Sequence, residues 1–244
     1  MSFTFNGISK DFVHVTIETE RPIWAPVERE IVEIPGRQGA YLRRTKTKPR
    51  ILAVNIVIKG VSDLQKAKEE IADWLITDEP EALIFPDEPD RTYYGMIDGE
   101  GQLAELFKFG KATVNFICPD PYKYGLEHSF EIGNPPDPIG HVQSAGSAPT
   151  YPIVECTFAE PADQYEIQLL NDDESVKAFV LLNFDFIAGD QLILDFANRS
   201  ATLNGEDKKT AYHHTSDFFK IPPKRDTLIR VTQPSTIRFT DKYK

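Results

Sequence analysis

The sequence predicts a mainly β protein with two domains, an N-terminal β-sandwich-like domain that carries one helix and a C-terminal antiparallel β-sandwich. Short runs in which apolar and polar residues alternate recur along the chain, and Gly, Asn, Asp and Pro separate them. Apolar residues at helical intervals occur in one convincing stretch, 62–79. A chain of 244 residues is also long enough to divide into two cores.

The longest strand patterns of the N-terminal half are Ala40–Thr47 and Arg50–Ile58, which we interpret as a hairpin with its turn at Lys48-Pro49. Two sets of apolar residues alternate in the second run, which predicts a strand covered on both faces. One face holds Leu52, Val54, Ile56 and Ile58, and the other holds Ile51, Ala53 and Val57. Further strands are predicted at 12–24, 30–35, 81–85, 91–97 and 111–118.

The predicted helix begins at Ser62, because Ser62 and Gln65 have capping-box spacing. Its pattern ends at Glu79-Pro80. The apolar residues at helical intervals are Leu64, Ala67, Ile71, Trp74 and Leu75. One helix among strands predicts a helix that lies on a sheet.

The domain boundary is predicted from composition. Pro119-Asp120-Pro121 ends the strand pattern of the first domain, and 133–149 is rich in Gly, Pro, Ser and Asn. We therefore predict an N-terminal domain at 1–132, a linker at 133–150 and a C-terminal domain at 151–244.

Short strands at regular spacing beyond the linker favour an antiparallel sandwich.

The clearest element of the C-terminal domain is a β-meander at 189–205. Leu192, Leu194 and Phe196 share one face of its first strand, 198–200 turns the chain, and Asn204-Gly205 supplies a second tight turn. The meander contains no catalytic constellation.

Composition limits the function. The net charge of -11 and the sequence pI near 5.0 oppose nucleic-acid binding, which depends on Lys and Arg. No run approaches the roughly 18 apolar residues of a membrane span, and the first residues lack the pattern of a signal peptide. We therefore expect no membrane insertion and a protein that stays in the cytoplasm where it is made, unless an assembly carries it elsewhere. Cys118 and Cys156 are expected to be buried free thiols.

Two segments have opposite charge. Seven basic residues and no acid occur between 36 and 60, whereas six acids and no base occur between 78 and 90. They fit solvated surface segments, and they also fit surfaces that meet within or between subunits.

The sequence gives only weak support for any catalytic or ligand-binding site. His213-His214 with Asp217 has no third metal ligand at a recognisable spacing, and Ser144 and Ser147 near His141 lack the strained turn of a nucleophile. Gly99-Glu100-Gly101 does not open a helix, and nothing forces Glu18 or Glu20 out of solvent. We predict no enzyme activity, no catalytic residues, no metal and no cofactor.

Motifs in order along the chain resemble the distal tail protein (Dit) family of long-tailed bacteriophages. In the N-terminal half they are 3–7 (Phe-x-Phe-Asn-Gly), 34–39, 50–59, the single helix, 91–95, 110–116 and 118–122. In the C-terminal half they are Asn134, Gly146, Tyr151-Pro152 and the meander at 189–205.

The resemblance implies a virion structural protein in the tail tip or baseplate, at the distal end of the tail. It implies a tail-tube-like N-terminal domain in a hexameric ring around a DNA channel, with galectin-like C-terminal sandwiches at the periphery. The ring would join the tail tube protein to tail-tip and receptor-binding proteins, and DNA would pass without specific binding. A carbohydrate-binding module is the alternative, and its stacking platform would need Tyr151, Tyr165, Tyr212 or Tyr243.

The charged segments lead to a hypothesis for the ring. Arg43, Arg44 and Lys46 of one subunit are predicted to lie against the acidic segment of the next. The acidic residues in this hypothesis are Glu79, Asp87, Glu88 and Asp90.

Overall fold

The structure is a computed structural model that describes residues 2–16, 19, 21–99, 102–106, 109–133 and 137–244. Glu18, Glu20, Glu100, Gly101 and Asn134, which the sequence interpretation used, lie outside these residues. The chain forms two compact units that divide after Tyr124. The predicted mainly β fold with one α-helix is confirmed for the described residues.

Among its described residues, the first unit contains nine strands, one helix and the start of a tenth strand. They are β1 (Thr4–Phe5), β2 (Val13–Val15), β3 (Val27–Glu33), β4 (Ala40–Thr47), β5 (Arg50–Ile58), α1 (Leu64–Leu75), β6 (Glu81–Ile84), β7 (Thr92–Ile97), β8 (Gln102–Leu106), β9 (Phe109–Cys118) and β10 (Lys123–Ile132), and the division falls within β10.

The sheet of the first unit is antiparallel and is built around β5 and β9. These two strands pair along their whole length, from Arg50 opposite Cys118 to Ile58 opposite Gly110. β2 pairs with the other edge of β5, while β7 and β8 pair with β9. β6 joins β7 to β1. The long β5 to β9 ladder therefore forms the base on which the helix packs.

The alternation predicted for β5 is correct on one face only. Leu52, Val54, Ile56 and Ile58 are buried, as expected. On the other face Val57 is buried, whereas Ile51 is 51% exposed. The second face of β5 is therefore covered at its C-terminal end and not at its start.

Helix α1 covers the core of the first unit through its one tryptophan. The indole of Trp74 stacks on the ring of Phe3 with centroids 5.0 Å apart, and its Nε1 donates a hydrogen bond of 3.1 Å to the carbonyl of Phe5. The N-cap is Asp63 and not Ser62, because the carboxylate of Asp63 accepts hydrogen bonds from the backbone N–H groups of Gln65 and Lys66. The cap thus lies one residue later than predicted, and the helix itself begins at Leu64.

The hairpin predicted around Lys48-Pro49 is wrong. β4 pairs with β3, from Thr47 opposite Val27 to Ala40 opposite Glu33, and the turn lies at 34–39. Gly36 and Gly39 both have φ of +84°, a left-handed conformation that Gly adopts without steric cost, so this segment can reverse the chain. Lys48-Pro49 instead leads into β5, which pairs with β9 along its whole length and with β2 at residues 56–58.

In the part of the second unit that the structure describes, the rest of β10 is followed by nine more strands. They are β11 (Ile139–Gln143), β12 (Ile153–Thr157), β13 (Ala162–Leu170), β14 (Val176–Phe186), β15 (Gln191–Asp195), β16 (Ser200–Leu203), β17 (Glu206–Asp207), β18 (Asp226–Val231) and β19 (Ser235–Tyr243), with one 3-10 turn at Lys209–Ala211.

These strands form a sandwich, as predicted. One sheet has the order β17-β16-β15-β12-β19-β10 and the other β11-β18-β13-β14. Buried side chains from both sheets form one core that includes Phe158, Tyr165 and Phe196. The meander is confirmed, since β15 and β16 pair with Leu192 opposite Leu203 and Leu194 opposite Ala201.

The described part of the predicted linker, residues 137–150, is not an exposed connection. Strand β11 pairs with β18, and Val142 and Ala148 are fully buried. Ser144 is also buried and donates a hydrogen bond to Asp241. The compact units divide eight residues before the predicted end of the first domain, since β10 extends the sandwich sheet.

Candidate subunit interface

The hairpin of β3 and β4, residues 27–47, is called the arm. Every residue of β4 and all but one of β3 are exposed, and the two strands form a sheet of their own. A two-stranded hairpin that packs on nothing is at best marginally stable in water. The arm is therefore a candidate surface for contact with another molecule.

Exposed apolar side chains lie on both faces of the arm. The register places Ile31 opposite Leu42 and Val32 opposite Tyr41. Ile31 and Leu42 are each 59% exposed, an unusual state for a pair of large aliphatic side chains on neighbouring strands. Clustered apolar residues on a surface are typical of a protein interface. The sequence interpretation missed these residues because it paired β4 with β5.

The segment just before the arm adds to this apolar surface. Ile23 is 82% exposed and Trp24 is 65% exposed. Tryptophan is enriched at the buried centres of interfaces, because its large ring buries much area at low cost in side-chain entropy.

The predicted basic residues all lie on β4 in the arm, and acidic residues of β3 lie beside them. Arg43 donates a hydrogen bond of 2.6 Å to the carboxylate of Glu30, and Arg44 Nε lies 3.7 Å from the same carboxylate. Lys46 is opposite Glu28 in the register. The whole arm has five basic and three acidic residues, a net charge of +2. These acids belong to strand β3, which lies outside 36–60, the segment in which the sequence has no acid.

The predicted acidic residues also have cations of their own chain as neighbours. Arg21 forms an ion pair with Asp87, and that hydrogen bond holds the pKa of the Asp87 carboxyl below its usual value. Lys123 lies 2.6 Å from Glu88, and Asp90 binds Arg91.

Glu79 differs from the other three acids of the hypothesis. It follows α1, is exposed, and makes no ion pair within the part of the chain that the structure describes. No ion pair among the described residues joins the arm to 78–90 in one chain. If the two segments meet, they do so between chains.

The residues that resemble catalytic groups are not assembled. His141 pairs with Asp226, whereas Ser144 binds Asp241. The rings of His213 and His214 lie 4.3 Å apart. Across the described ranges, no group of three His, Cys, Asp or Glu side chains could hold a metal ion. Within the same ranges, no helix has the length and apolar content needed to cross a bilayer.

Both cysteines are buried free thiols, as predicted. Burial raises the pKa of Cys118 to about 11 and that of Cys156 to about 11, so both stay protonated at neutral pH.

The four tyrosines that a sugar platform would require are not exposed. Tyr165 is fully buried in the sandwich core, and Tyr151 lies under the ammonium group of Lys220 at 4.7 Å from its ring centre. Tyr212 and Tyr243 are half-buried. The geometry gives no open aromatic face among these residues for a sugar ring.

Comparison with known proteins assigns both halves of the chain. Residues 10–118 match the family described as phage tail protein RIFT-related domain, and residues 145–243 match the siphovirus-type tail component, C-terminal domain. The distal tail protein of Bacillus phage SPP1 is 36% identical over 213 residues, which are 86% of this chain and 83% of that protein.

Solved structures give the same result. The crystal structure of SPP1 Dit, described as a paradigm of the hub adsorption apparatus in phages that infect Gram-positive bacteria, superposes with a TM-score of 0.89 at 28% identity, over 100% of this chain and 99% of that chain. The baseplate of phage p2 in its activated conformation with Sr contains a chain with a TM-score of 0.55 at 8% identity, over 100% of this chain and 97% of that one, which shows a shared fold alone. With similar domains in both halves and a relative above 30% identity over most of its length, this chain belongs to the distal tail protein (Dit) family of siphovirus-type phages.

Proposed function

We propose that the protein is a structural hub at the distal end of a phage tail, where six copies form a ring through their first units. The ring would join the tail tube protein on one side to tail-tip and receptor-binding proteins on the other, and its centre would be the channel for DNA. The exposed arm is the observation that carries this proposal, because it has the size, apolar surface and lack of covering expected of an element that a neighbouring subunit completes.

A ring follows from the kind of contact that the arm can make. A single protruding element fits a different surface of the next copy, so the contact is heterologous, and such contacts close into a ring when the rotation between copies fits. The family relationship to a distal tail protein supports a ring over an open filament. The hub has no catalytic step, and receptor binding would be transmitted by movement of subunits.

Charge would select the neighbour. We propose that Arg43, Arg44 and Lys46 face the acidic segment of the next subunit, which contains Glu79, Asp87, Glu88 and Asp90. Exposed ion pairs contribute about 0.2 to 1 kcal/mol each and are screened by salt, so the apolar residues of the arm must supply most of the affinity. Because Asp87, Glu88 and Asp90 already bind cations of their own chain, Glu79 is the acid best placed to accept a new partner.

The net charge of -11 fits the channel role. An acidic surface repels the phosphate backbone, so DNA can move past it without being held.

Light scattering with negative-stain imaging of the purified protein tests the ring, both alone and mixed with the adjacent tail proteins. We expect a six-membered particle. A protein that stays monomeric at high concentration and low salt, and forms no ring with its neighbours, would refute the proposed function.

Charge reversal tests the arm. The double variant Arg43→Glu, Arg44→Glu should weaken ring formation, and adding Glu79→Lys should restore part of it. Arg225→Glu is the matched control, because Arg225 is an equally exposed arginine that pairs with Asp172 in the second unit. Equal assembly of the arm variant and this control at low salt would show that charge on the arm does not select the neighbour.

A further inference from the structure

The chain contains two Asn-Gly pairs, Asn6-Gly7 and Asn204-Gly205, and both form the same kind of turn. The φ angles of all four residues are positive, between +48° at Asn6 and +84° at Gly205, as a type I′ hairpin turn requires. All four residues are exposed. The two pairs are therefore matched in dipeptide sequence, backbone conformation and exposure, and they differ in the contacts of the Asn side chain.

Asn-Gly is the dipeptide at which the Asn amide reacts most readily with its own main chain. Glycine has no side chain to hinder the approach of its backbone nitrogen to the amide carbon of the preceding Asn. The reaction requires the Asn side chain to rotate toward that nitrogen. Hydrogen bonds that hold the amide in another orientation therefore protect it.

The amide of Asn204 is held at both ends. Its Oδ1 accepts a hydrogen bond of 2.9 Å from the backbone N–H of Gln191, and its Nδ2 donates one of 2.8 Å to the carboxylate of Asp190. Asp190 is buried, and its second oxygen accepts a hydrogen bond of 2.9 Å from the backbone N–H of Ile187. Both bonds to the amide must break before Asn204 can turn toward the nitrogen of Gly205.

The amide of Asn6 makes no hydrogen bond within the part of the chain that the structure describes. Its turn is closed by one reciprocal pair of hydrogen bonds between Phe5 and Ile8, each 2.9 Å long. The preceding strand, β1, has only two residues. Short elements with few contacts open at a low cost in free energy, so the side chain of Asn6 can reach the nitrogen of Gly7.

We propose that Asn6 is a site of spontaneous deamidation in the folded chain, and that Asn204 is protected from the same reaction. The backbone nitrogen of Gly7 loses its proton to base in the solvent and forms a bond with Cγ of Asn6. The bond from Cγ to the amide nitrogen breaks, and that nitrogen takes up a proton from water and leaves as ammonia. The product is a succinimide ring.

Water then opens this ring at one of its two carbonyl carbons. Breakage of the bond between Cγ and the nitrogen of Gly7 gives aspartate with a normal main chain. Breakage of the bond between the main-chain carbonyl carbon and the same nitrogen gives isoaspartate. The net change is one water consumed and one ammonia released, and no oxidant, reductant or cofactor takes part.

Isoaspartate would disturb the packing under α1, because it adds a methylene group to the main chain of a two-residue turn. The lengthened turn cannot keep both hydrogen bonds between Phe5 and Ile8. The carbonyl of Phe5 also accepts the hydrogen bond of 3.1 Å from Nε1 of Trp74, and Phe5 is fully buried. Accumulation of isoaspartate at this turn should therefore lower the melting temperature of the first unit.

Peptide mapping by mass spectrometry tests the site after the purified chain has been incubated at mildly alkaline pH. In the folded chain we expect Asn6 to deamidate about tenfold faster than Asn204 or more, since two hydrogen bonds must break to release the latter. In urea the two pairs should react at similar rates, because unfolding removes the contacts of both. Labelling by an isoaspartyl methyltransferase identifies the isoaspartate product.

The variant Asn6→Gly tests the structural consequence. Gly-Gly also fits a type I′ turn and has no amide to react. The melting temperature of this variant should stay constant during an incubation that lowers that of the unmodified chain. Circular dichroism before incubation checks that the variant is folded.

Equal deamidation of Asn6 and Asn204 in the folded chain would overturn the proposal. A preference for Asn6 that persists unchanged in urea would also overturn it, because the difference would then come from the neighbouring sequence and not from the fold. A melting temperature that falls equally in Asn6→Gly and in the unmodified chain would show that the turn does not support the packing under α1. The reaction needs no second subunit, so none of these results depends on ring formation.

Discussion

The hydroxyl of Ser144 donates a hydrogen bond of 2.6 Å to the carboxylate of Asp241, which lies 97 residues later in the chain. The same carboxylate accepts hydrogen bonds from the backbone N–H groups of Ala145 and Gly146, and its second oxygen lies 2.8 Å from Nε2 of His128. Asp241 therefore joins β10, the segment after β11, and β19 within the sandwich.

Replacement of Asp241 by Asn should destabilise the second unit by about 2 to 3 kcal/mol. Asn carries no negative charge, and its NH2 group takes the place of one of the two carboxylate oxygens that accept hydrogen bonds in the buried network. Urea denaturation followed by circular dichroism measures the change. Asp172→Asn is the control, since this exposed carboxylate should change stability by less than about 0.5 kcal/mol. A loss as small as that of the control would mean that the network does not stabilise the unit.

The free energy of unfolding should also decrease in acid, because the carboxylate of Asp241 becomes protonated. Burial alone would raise the pKa of this carboxyl, but hydrogen bonds from Ser144 and His128 outweigh it, and the pKa lies below its ordinary value. A depressed folded pKa stabilises the protein above the unfolded pKa of about 3.9, and this contribution is lost as the pH falls through the folded value. Urea midpoints between pH 7 and pH 2 should show less loss in acid for Asp241→Asn than for the unmodified protein.

Replacement of the two tryptophans by Ala should change the stability of the isolated chain by very different amounts. Trp74→Ala should cost the first unit about 3 to 5 kcal/mol, because it removes a buried ring and the donor to the carbonyl of Phe5. Trp24→Ala should leave the unfolding of the isolated chain nearly unchanged, since Trp24 is mostly exposed. Denaturation of both variants, monitored by far-UV circular dichroism at a concentration without rings, makes the comparison. Similar losses in both would show that Trp24 is covered by its own chain.

The position of the division within β10 can be tested with fragments. Residues 125–244 should fold alone, because they contain all of the sandwich strands except the first two residues of β10. Residues 151–244 should not fold, because this fragment lacks the buried side chains of Ile132 and Val142 and one edge strand of each sheet. Dispersed amide resonances in the NMR spectrum would identify the folded fragment. Equally good spectra of both would place 125–150 outside the cooperative unit.

Much of the local structure was determined by the sequence alone. The alternation in β5 predicted which side chains face the core, and the turn residues of 189–205 predicted the β15 to β16 hairpin. Both signals are local, because side chains of a strand alternate with a period of two and a tight hairpin forms between neighbours in sequence. The family motifs likewise predicted the relationship to distal tail proteins.

Tertiary structure decided which strands pair and what each charge contacts. β4 could pair with either neighbour along the chain, and it pairs with β3, while β9 pairs with the whole of β5 and β2 pairs with residues 56–58 on the other edge. That choice makes the arm, exposes Ile31 and Leu42, and places Glu30 beside Arg43. The contact of Ser144 with Asp241 and that of Arg21 with Asp87 span 97 and 66 residues, distances at which residue type and spacing carry no information about proximity.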